Sequence, residues 1–315
     1  MRYSFTAPSP EATDPQPLAL QHLFSGNLGG GVTQFLMPVI YHGFVSAMEG
    51  RIFAAWRWAY LIPGLLHTLA GVMIMFYGQD LPDGNYETLH ESGALEKKDP
   101  ATTNLIGAMN YRTWCLMATY GFCFGVELTM NNIFAGYLYD QFDLDIVSAG
   151  FIASCYGMMN IFARSFGGIV SDKMSVQFGM RGRLWSLWVI QTLEGILCIM
   201  MALCKDSLSL TIIFMVAFSI SVQAAEGASF GIVPFITRRA LGVANGYIGA
   251  GGNAGSTILM ALFFTSSSIE TYDGIFYMGI VVICCTTLVI PIHFPMWAGA
   301  YTRTLFGSTR AISVG

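Results

Sequence analysis

Apolar runs of membrane-crossing length recur near residues 20–42, 58–78, 113–137, 146–170, 184–204, 208–236, 243–265 and 275–297, separated by mostly short polar connections. A helix needs about 20 apolar residues to cross ~30 Å of hydrocarbon, so the pattern predicts an all-α membrane protein with about eight transmembrane helices. The ten-residue alternation of a membrane β-barrel is missing from the sequence. Two of the runs are glycine-dense around a single asparagine, GNLG at Gly26 to Gly29 and GAGGNAG at Gly249 to Gly255. Such stretches let backbones approach closely, and their recurrence in distant parts of one chain points to a carrier built from related halves.

Composition narrows the class further. Hydrophobic residues make up 54% of 315 and charged ones 11%, too little polar surface to cover a soluble globule of this size. Lys97, Lys98, Arg112, Lys173, Arg181, Arg183, Arg238, Arg239, Arg303 and Arg310 fall at alternate connections or in the C-terminal tail. By the positive-inside rule, the loops near 79–111, 171–183 and 237–241 and both termini face the cytoplasm. The acidic turn Asp140, Asp143, Asp145 then lies outside.

The expected organisation is a disordered proline-rich leader over 1–19, a helix pair over 20–78 and a cytoplasmic central loop over 79–111. A six-helix bundle over 112–298 and a cytoplasmic tail over 299–315 follow. Two helices plus six is an uneven count for equivalent halves, so four more helices are expected before residue 20.

The seven cysteines form no C-x-x-C pair, and no metal-ligand spacing or phosphate-cradling loop occurs. The expectation is a non-enzyme without cofactor or metal, with no nucleic-acid partner.

Candidate chemistry lies inside the spans. Arg164 is the only deep basic residue, and it shares a small polar helix face with Asn160 and Gly168. Its guanidinium is either a planar fork for an oxyanion or a structural ion pair with a membrane glutamate. Tyr120, Phe124, Glu127 and Asn131 fall at i, i+4, i+7 and i+11 on one face, fit for a narrow passage or for plain packing. Glu127, Glu194 and Glu226 are the acids within spans, with Glu127 and Glu226 the proton-coupling candidates. His67 reads as a packing residue. Asn27 and Asn253 are candidate substrate contacts, because an unpaired amide is costly in hydrocarbon. Gly30, Gly31, Gly249, Gly251 and Gly252 are the expected helix-packing glycines.

The motifs GNLGGGVTQ (26–34) and GAGGNAGS (249–256), with AWRWAYLIPG, GQDLPDGN, NYRTW, GVELTMNN and NIFARSFGG between them, resemble the nitrate/nitrite porter family of the major facilitator superfamily. The intervening stretches are similar to those of eukaryotic high-affinity nitrate transporters. The resemblance implies helices five to twelve of a twelve-helix carrier that works by alternating access. It implies that Arg164 is the second substrate arginine, that Tyr120 and Phe124 line the site, and that Asn27 and Asn253 are signature asparagines. It also implies that Asp172, Arg181 and Arg183 belong to a charged cytoplasmic gate.

The expected function is proton-coupled nitrate symport, with nitrite a second substrate, by a multi-pass protein of the plasma membrane. Its expected partners are the anion, protons, the lipid bilayer and an accessory membrane protein. Importing an anion against an inside-negative potential costs ~2.3 kcal/mol per 100 mV, so accumulation calls for at least two protons per nitrate. The alternative is a truncated, non-transporting product that acts as a regulatory partner or nitrate sensor.

Overall fold

The computed structural model describes residues 28–80, 84–93, 99–237, 239–266, 268–294 and 298–299. The expected leader, Asn27 and the tail beyond Gly299 lie outside the described residues. Helices α1 (Leu28–Ala47) and α2 (Ile52–Tyr77) form the first pair, and the central connection carries two short helices, α3 (Tyr86–Glu91) and α4 (Pro100–Ala108). The turn into α4 is built by Asp99, whose carboxylate caps the backbone N–H groups of Ala101 and Thr102 with Pro100 at the first helical position. The bundle that follows comprises α5 (Tyr111–Gly121), α6 (Phe124–Phe142), α7 (Ile146–Met158), α8 (Ala163–Phe178), α9 (Met180–Leu203), α10 (Leu208–Phe230), α11 (Leu241–Leu259) and α12 (Thr271–Thr286). A short antiparallel ribbon, β1 (His293–Phe294) with β2 (Ala298–Gly299), closes the described part.

Six helical segments among the described residues are long and apolar enough to span a membrane, and the protein is a multi-pass membrane protein. The other two expected spans are α1 and the α5–α6 pair. The latter is interrupted at Phe122 and Cys123 and carries Glu127, Asn131 and Asn132. Many large apolar side chains are exposed, most clearly on α2, which buries only Ala55 and Ala59.

Two expected continuous helices are broken. The 113–137 run divides into α5 and α6, and the 146–170 run divides into α7 and α8 around a 3₁₀ turn at Met159–Ile161. Discontinuous membrane helices free backbone groups and turn side chains toward a common interior point, the arrangement that carriers use near the bilayer midplane. Apolar packing lies on either side of these breaks. One cluster joins α6, α7, α9, α10 and α12 through Phe134, Tyr156, Phe218 and Met278; the other joins α5, α9, α10 and α11 through Leu116, Leu187, Ala225 and Ile248. Glu127 falls between Cys123 of the second cluster and Met130 of the first.

Outside the spans, Asp145 starts α7 by accepting from the backbone N–H groups of Val147 and Ser148. Hydrogen bonding from Ser148 holds its carboxyl below the usual carboxylate range. This contribution to stability is therefore present at neutral pH and lost as pH falls through the lowered value.

Candidate substrate site

Both helix breaks converge on Arg164. The residue sits in the first turn of α8, immediately after Phe162 leaves helical geometry at φ −129°. Its Nη2 lies 3.2 Å from Oε2 of Glu127 on α6 and also contacts Oε2 of Glu226 on α10. Both glutamates are fully buried, and the arginine side chain is only 11% exposed, with its Nε itself buried. Asn160, in the 3₁₀ turn, donates from Nδ2 to Oε1 of Glu127 at 2.7 Å. Glu226 has no comparable support: neither of its oxygens has a hydrogen bond, so among the described residues the contact with Arg164 is its only partner. Nε of Arg164 is also without a hydrogen-bond partner.

Aromatic rings form one wall. Phe124 lies 6.0 Å from the guanidinium carbon and stacks on Tyr120 with centroids 5.3 Å apart at 26°. Phe230 of α10 meets Tyr120 edge-on at 5.3 Å and 87°. The face expected to hold Tyr120, Phe124 and Glu127 thus survives the break between α5 and α6, because the rings stack across it. Asn131, the fourth residue of that face, instead uses its backbone carbonyl to accept from the Gln34 side chain and ties α6 to α1.

The α8–α10 crossing explains how Glu226 reaches Arg164. A Cβ on Gly227 would collide with the Arg164 carbonyl, and one on Gly167 would collide with the Ala224 carbonyl. These two glycines remove the side-chain spacer between the helices. Neither was singled out by sequence reasoning, although Gly227 directly follows Glu226 and both glycines lie in apolar runs, which is the available signal.

The expected packing glycines separate into two groups. Gly31 abuts Gly157 and Met158 of α7, Gly251 abuts Met117, and Gly252 abuts the Phe124 ring. Gly249, by contrast, has open space where a side chain would be, and Gly30 meets only the Asn131 side-chain amide, at 3.1 Å. Gly30 thus packs on a side chain of α6 rather than on backbone, and among the described residues nothing lies within 4 Å of a Cβ at Gly249. At about 100° per residue Gly249 turns off the seam made by Gly251, Gly252 and Gly255, and Gly30 turns off the one centred on Gly31. Asn253 follows Gly249 onto this exposed side, and its side chain bonds only the Gly249 carbonyl of its own helix at 3.5 Å. It stands apart from the Arg164 contacts. Gly252→Ala is expected to displace Phe124 and lower the thermal unfolding midpoint, whereas Gly249→Ala leaves it unchanged; equal midpoints in the two variants would show that the Phe124 contact is unimportant for packing.

Away from the arginine cluster, Nη1 of Arg183 lies 2.6 Å from Oδ1 of Asp172 and beside Gly231, where α10 ends. The guanidinium also lies 5.2 Å from the Phe235 ring, and that of Arg181 lies 5.8 Å from the Trp185 ring. Asp172 and Arg183 therefore join α8 to α9 at a helix C-terminus, where a cation is favoured. Glu194, the third intramembrane acid, lies on α9 with no hydrogen-bond partner. His67 bonds the Pro63 carbonyl one turn back at 2.8 Å.

A bundle of broken and close-packed membrane helices around a buried arginine is the architecture of a solute carrier, and the chain belongs to the Major Facilitator Superfamily, whose model matches residues 22–260. It is 48% identical over 276 residues to the high affinity nitrate transporter 2.5 of Arabidopsis thaliana, covering 88% of this chain and 55% of that protein. It is 44% identical over 286 residues to nitrate transporter 2.1 of Chlamydomonas reinhardtii, covering 88% and 52% respectively. A nitrate/nitrite transporter, NrtP, from Picosynechococcus is 36% identical over 163 residues, or 50% of this chain and 29% of the relative. The chain thus spans little more than half the length of the plant and algal relatives.

Proposed function

We propose that this chain forms the nitrate-binding part of a proton-coupled nitrate carrier, with nitrite as a second substrate, in the plasma membrane. The observation that carries the reading is a guanidinium shared by two buried carboxylates, Glu127 and Glu226, beside an aromatic wall. The names of the relatives supply the anion's identity. Nitrate is planar and monovalent, and two of its oxygens match the parallel N–H bonds of a guanidinium edge.

Charge balance supplies the coupling. One arginine cannot neutralise two carboxylates and an incoming anion together in a low-dielectric site. Nitrate must therefore take the guanidinium from a carboxylate, and the released carboxylate must accept a proton or remain as an uncompensated buried charge. Among the described residues Glu226 has only the Arg164 contact, whereas Glu127 keeps the Asn160 amide as a donor, so Glu226 is the carboxylate that anion binding would leave uncompensated. Asp172 with Arg183, and Arg181 beside them, would act as a latch at the cytoplasmic ends of α8 and α9 while the bundle rocks.

The test is calorimetric titration of nitrate into the purified, lipid-reconstituted chain in two buffers of different ionisation enthalpy. Binding with net proton uptake is expected, and Glu226→Gln should retain binding with the uptake reduced. Binding without any proton uptake in the unmodified chain would overturn the coupling scheme, and absence of nitrate binding would overturn the reading itself.

A further inference from the structure

Where α8 turns into α9, the two helices leave an open apolar groove that the substrate site does not use. The groove has a volume of about 470 Å³ and is lined by Val170 and Met174 of α8 and by Trp185, Trp188 and Val189 of α9, ending at Ile190. These positions fall at i and i+4 on α8 and at i, i+3 and i+4 on α9, so one stripe of each helix forms each wall. The helices are held together at the turn by Gly182, where a Cβ would strike the Met174 carbonyl, and Gly179 makes the turn itself with φ +62°. Ser186, the one hydroxyl in the lining, donates to the Gly182 carbonyl of its own helix at 2.9 Å, so its polar atom is already satisfied.

Positive charge gathers at the turn end of this groove. The guanidinium carbon of Arg181 lies 5.8 Å from the Trp185 ring, and the Phe178 ring packs on the same indole with centroids 5.7 Å apart. Lys173 is exposed, precedes Met174 and lies three residues after Val170, so it stands beside the α8 wall. Between positions 170 and 190 the cations are Lys173, Arg181 and Arg183, and the one acid, Asp172, is bound to Arg183. The segments 146–178 and 180–203 are each long and apolar enough to span a membrane, and the positive-inside rule puts the turn between them at the cytoplasmic interface. From Arg181 to Ile190 the groove follows α9 for about 14 Å at ~1.5 Å per residue, close to half of the ~30 Å hydrocarbon core.

We propose that this groove binds an anionic phospholipid of the cytoplasmic leaflet, with one acyl chain between α8 and α9 and the headgroup phosphate against Arg181 and Lys173. The groove's length is that of one leaflet's chain region, its walls are apolar, and its mouth carries the charge opposite to the headgroup. Indoles suit this position, since their amphipathic rings sit at the level where chain meets headgroup. A neutral phospholipid fills the walls equally well but gains nothing from the basic end, and each Lys or Arg near the surface is worth roughly a fivefold preference for an anionic lipid. The bound lipid braces α8, the helix that carries Arg164, against α9. The site is independent of which solute the carrier moves.

Tryptophan fluorescence of the full chain in phosphatidylcholine bilayers tests the site, because a brominated acyl chain quenches the indoles it touches. A variant with both Trp185→Phe and Trp188→Phe gives the signal of the other four tryptophans, which is subtracted. Brominated phosphatidylglycerol is expected to quench the Trp185 and Trp188 signal at a mole fraction at least about fivefold lower than brominated phosphatidylcholine does. Lys173→Gln with Arg181→Gln is expected to bring the two lipids level while quenching by phosphatidylcholine persists, and Arg181→Lys is expected to keep the preference. Lys173→Gln alone, a change at an exposed side chain, is expected to lose part of the preference and serves if the double variant does not fold. Equal quenching by both lipids in the unmodified chain would reduce the groove to ordinary bilayer contact. A preference that survives every change at Lys173 and Arg181 would place the anionic lipid elsewhere, and absence of quenching by either lipid would mean that protein fills the groove. Each of these three results overturns the proposal.

Discussion

Arg164→Lys is expected to remove most of the nitrate affinity of the reconstituted chain while preserving its positive charge. A guanidinium offers two parallel donors from one rigid plane, and a planar oxyanion uses both; an ammonium offers donors that do not match that plane. Each hydrogen bond to a charged group is worth about 1.5 to 3 kcal/mol, so losing one of two weakens binding roughly tenfold to a hundredfold. A second effect acts in the same direction. A compact ammonium drawn between Glu127 and Glu226 would satisfy those carboxylates without presenting a planar edge to the anion. Calorimetric titration of nitrate against both proteins checks this, with the anion-free thermal midpoint measured alongside. Unchanged affinity in a folded lysine variant would exclude bidentate binding at this position.

The second large effect is expected at the α8–α10 crossing. Gly227→Ala places a methyl group against the Arg164 carbonyl, and Gly167→Ala does the same against the Ala224 carbonyl. The obstructing atoms are backbone, which cannot turn aside as a side chain can, so the helices must separate. Overpacking of this kind costs ~1–3 kcal/mol. Separation also pulls the buried Glu226 carboxylate away from its only cation, and breaking a buried pair adds a penalty of about 3–5 kcal/mol when nothing replaces the lost partner. Gly168→Ala is the control, since the nearest atom to its new methyl is the Gly227 carbonyl oxygen at 4.0 Å. Thermal unfolding and nitrate binding are measured together. The expectation is that Gly227→Ala and Gly167→Ala lose both stability and affinity while Gly168→Ala keeps both; similar behaviour of all three would show that the seam does not position the site.

Several features of the site follow from local rules alone. Apolar runs of twenty residues require spanning helices, because unpaired backbone groups cannot be left in hydrocarbon. Likewise, an arginine in such a run requires a partner, so Arg164 and the intramembrane acids Glu127, Glu194 and Glu226 identify themselves by cost. The single face shared by Tyr120, Phe124 and Glu127 was legible from spacing, since the period of a helix persists across a short interruption. The interruptions at Phe122 and at Met159–Ile161 were not, as no proline marks them and the glycines beside them, Gly121 and Gly157, resemble the many glycines in unbroken helices of this chain.

What the tertiary structure alone decided is the pairing of distant residues. Spacing places Arg164, Glu127 and Glu226 on three helices but says nothing of which acid shares the guanidinium. The choice depends on how closely α8 and α10 approach, and that is set by the absence of side chains at Gly167 and Gly227. The glycine signatures show the same division. Composition marks GAGGNAG as a compact stretch, but whether a given glycine meets a neighbour depends on how α11 is rotated against α5 and α6, which puts Gly251 and Gly252 in the seam and Gly249 with Asn253 outside it. Packing likewise separates the three buried acids: Glu127 and Glu226 share a cation, whereas Glu194 has no ion pair among the described residues, because a contact between helices is a property of their packing and not of either sequence segment.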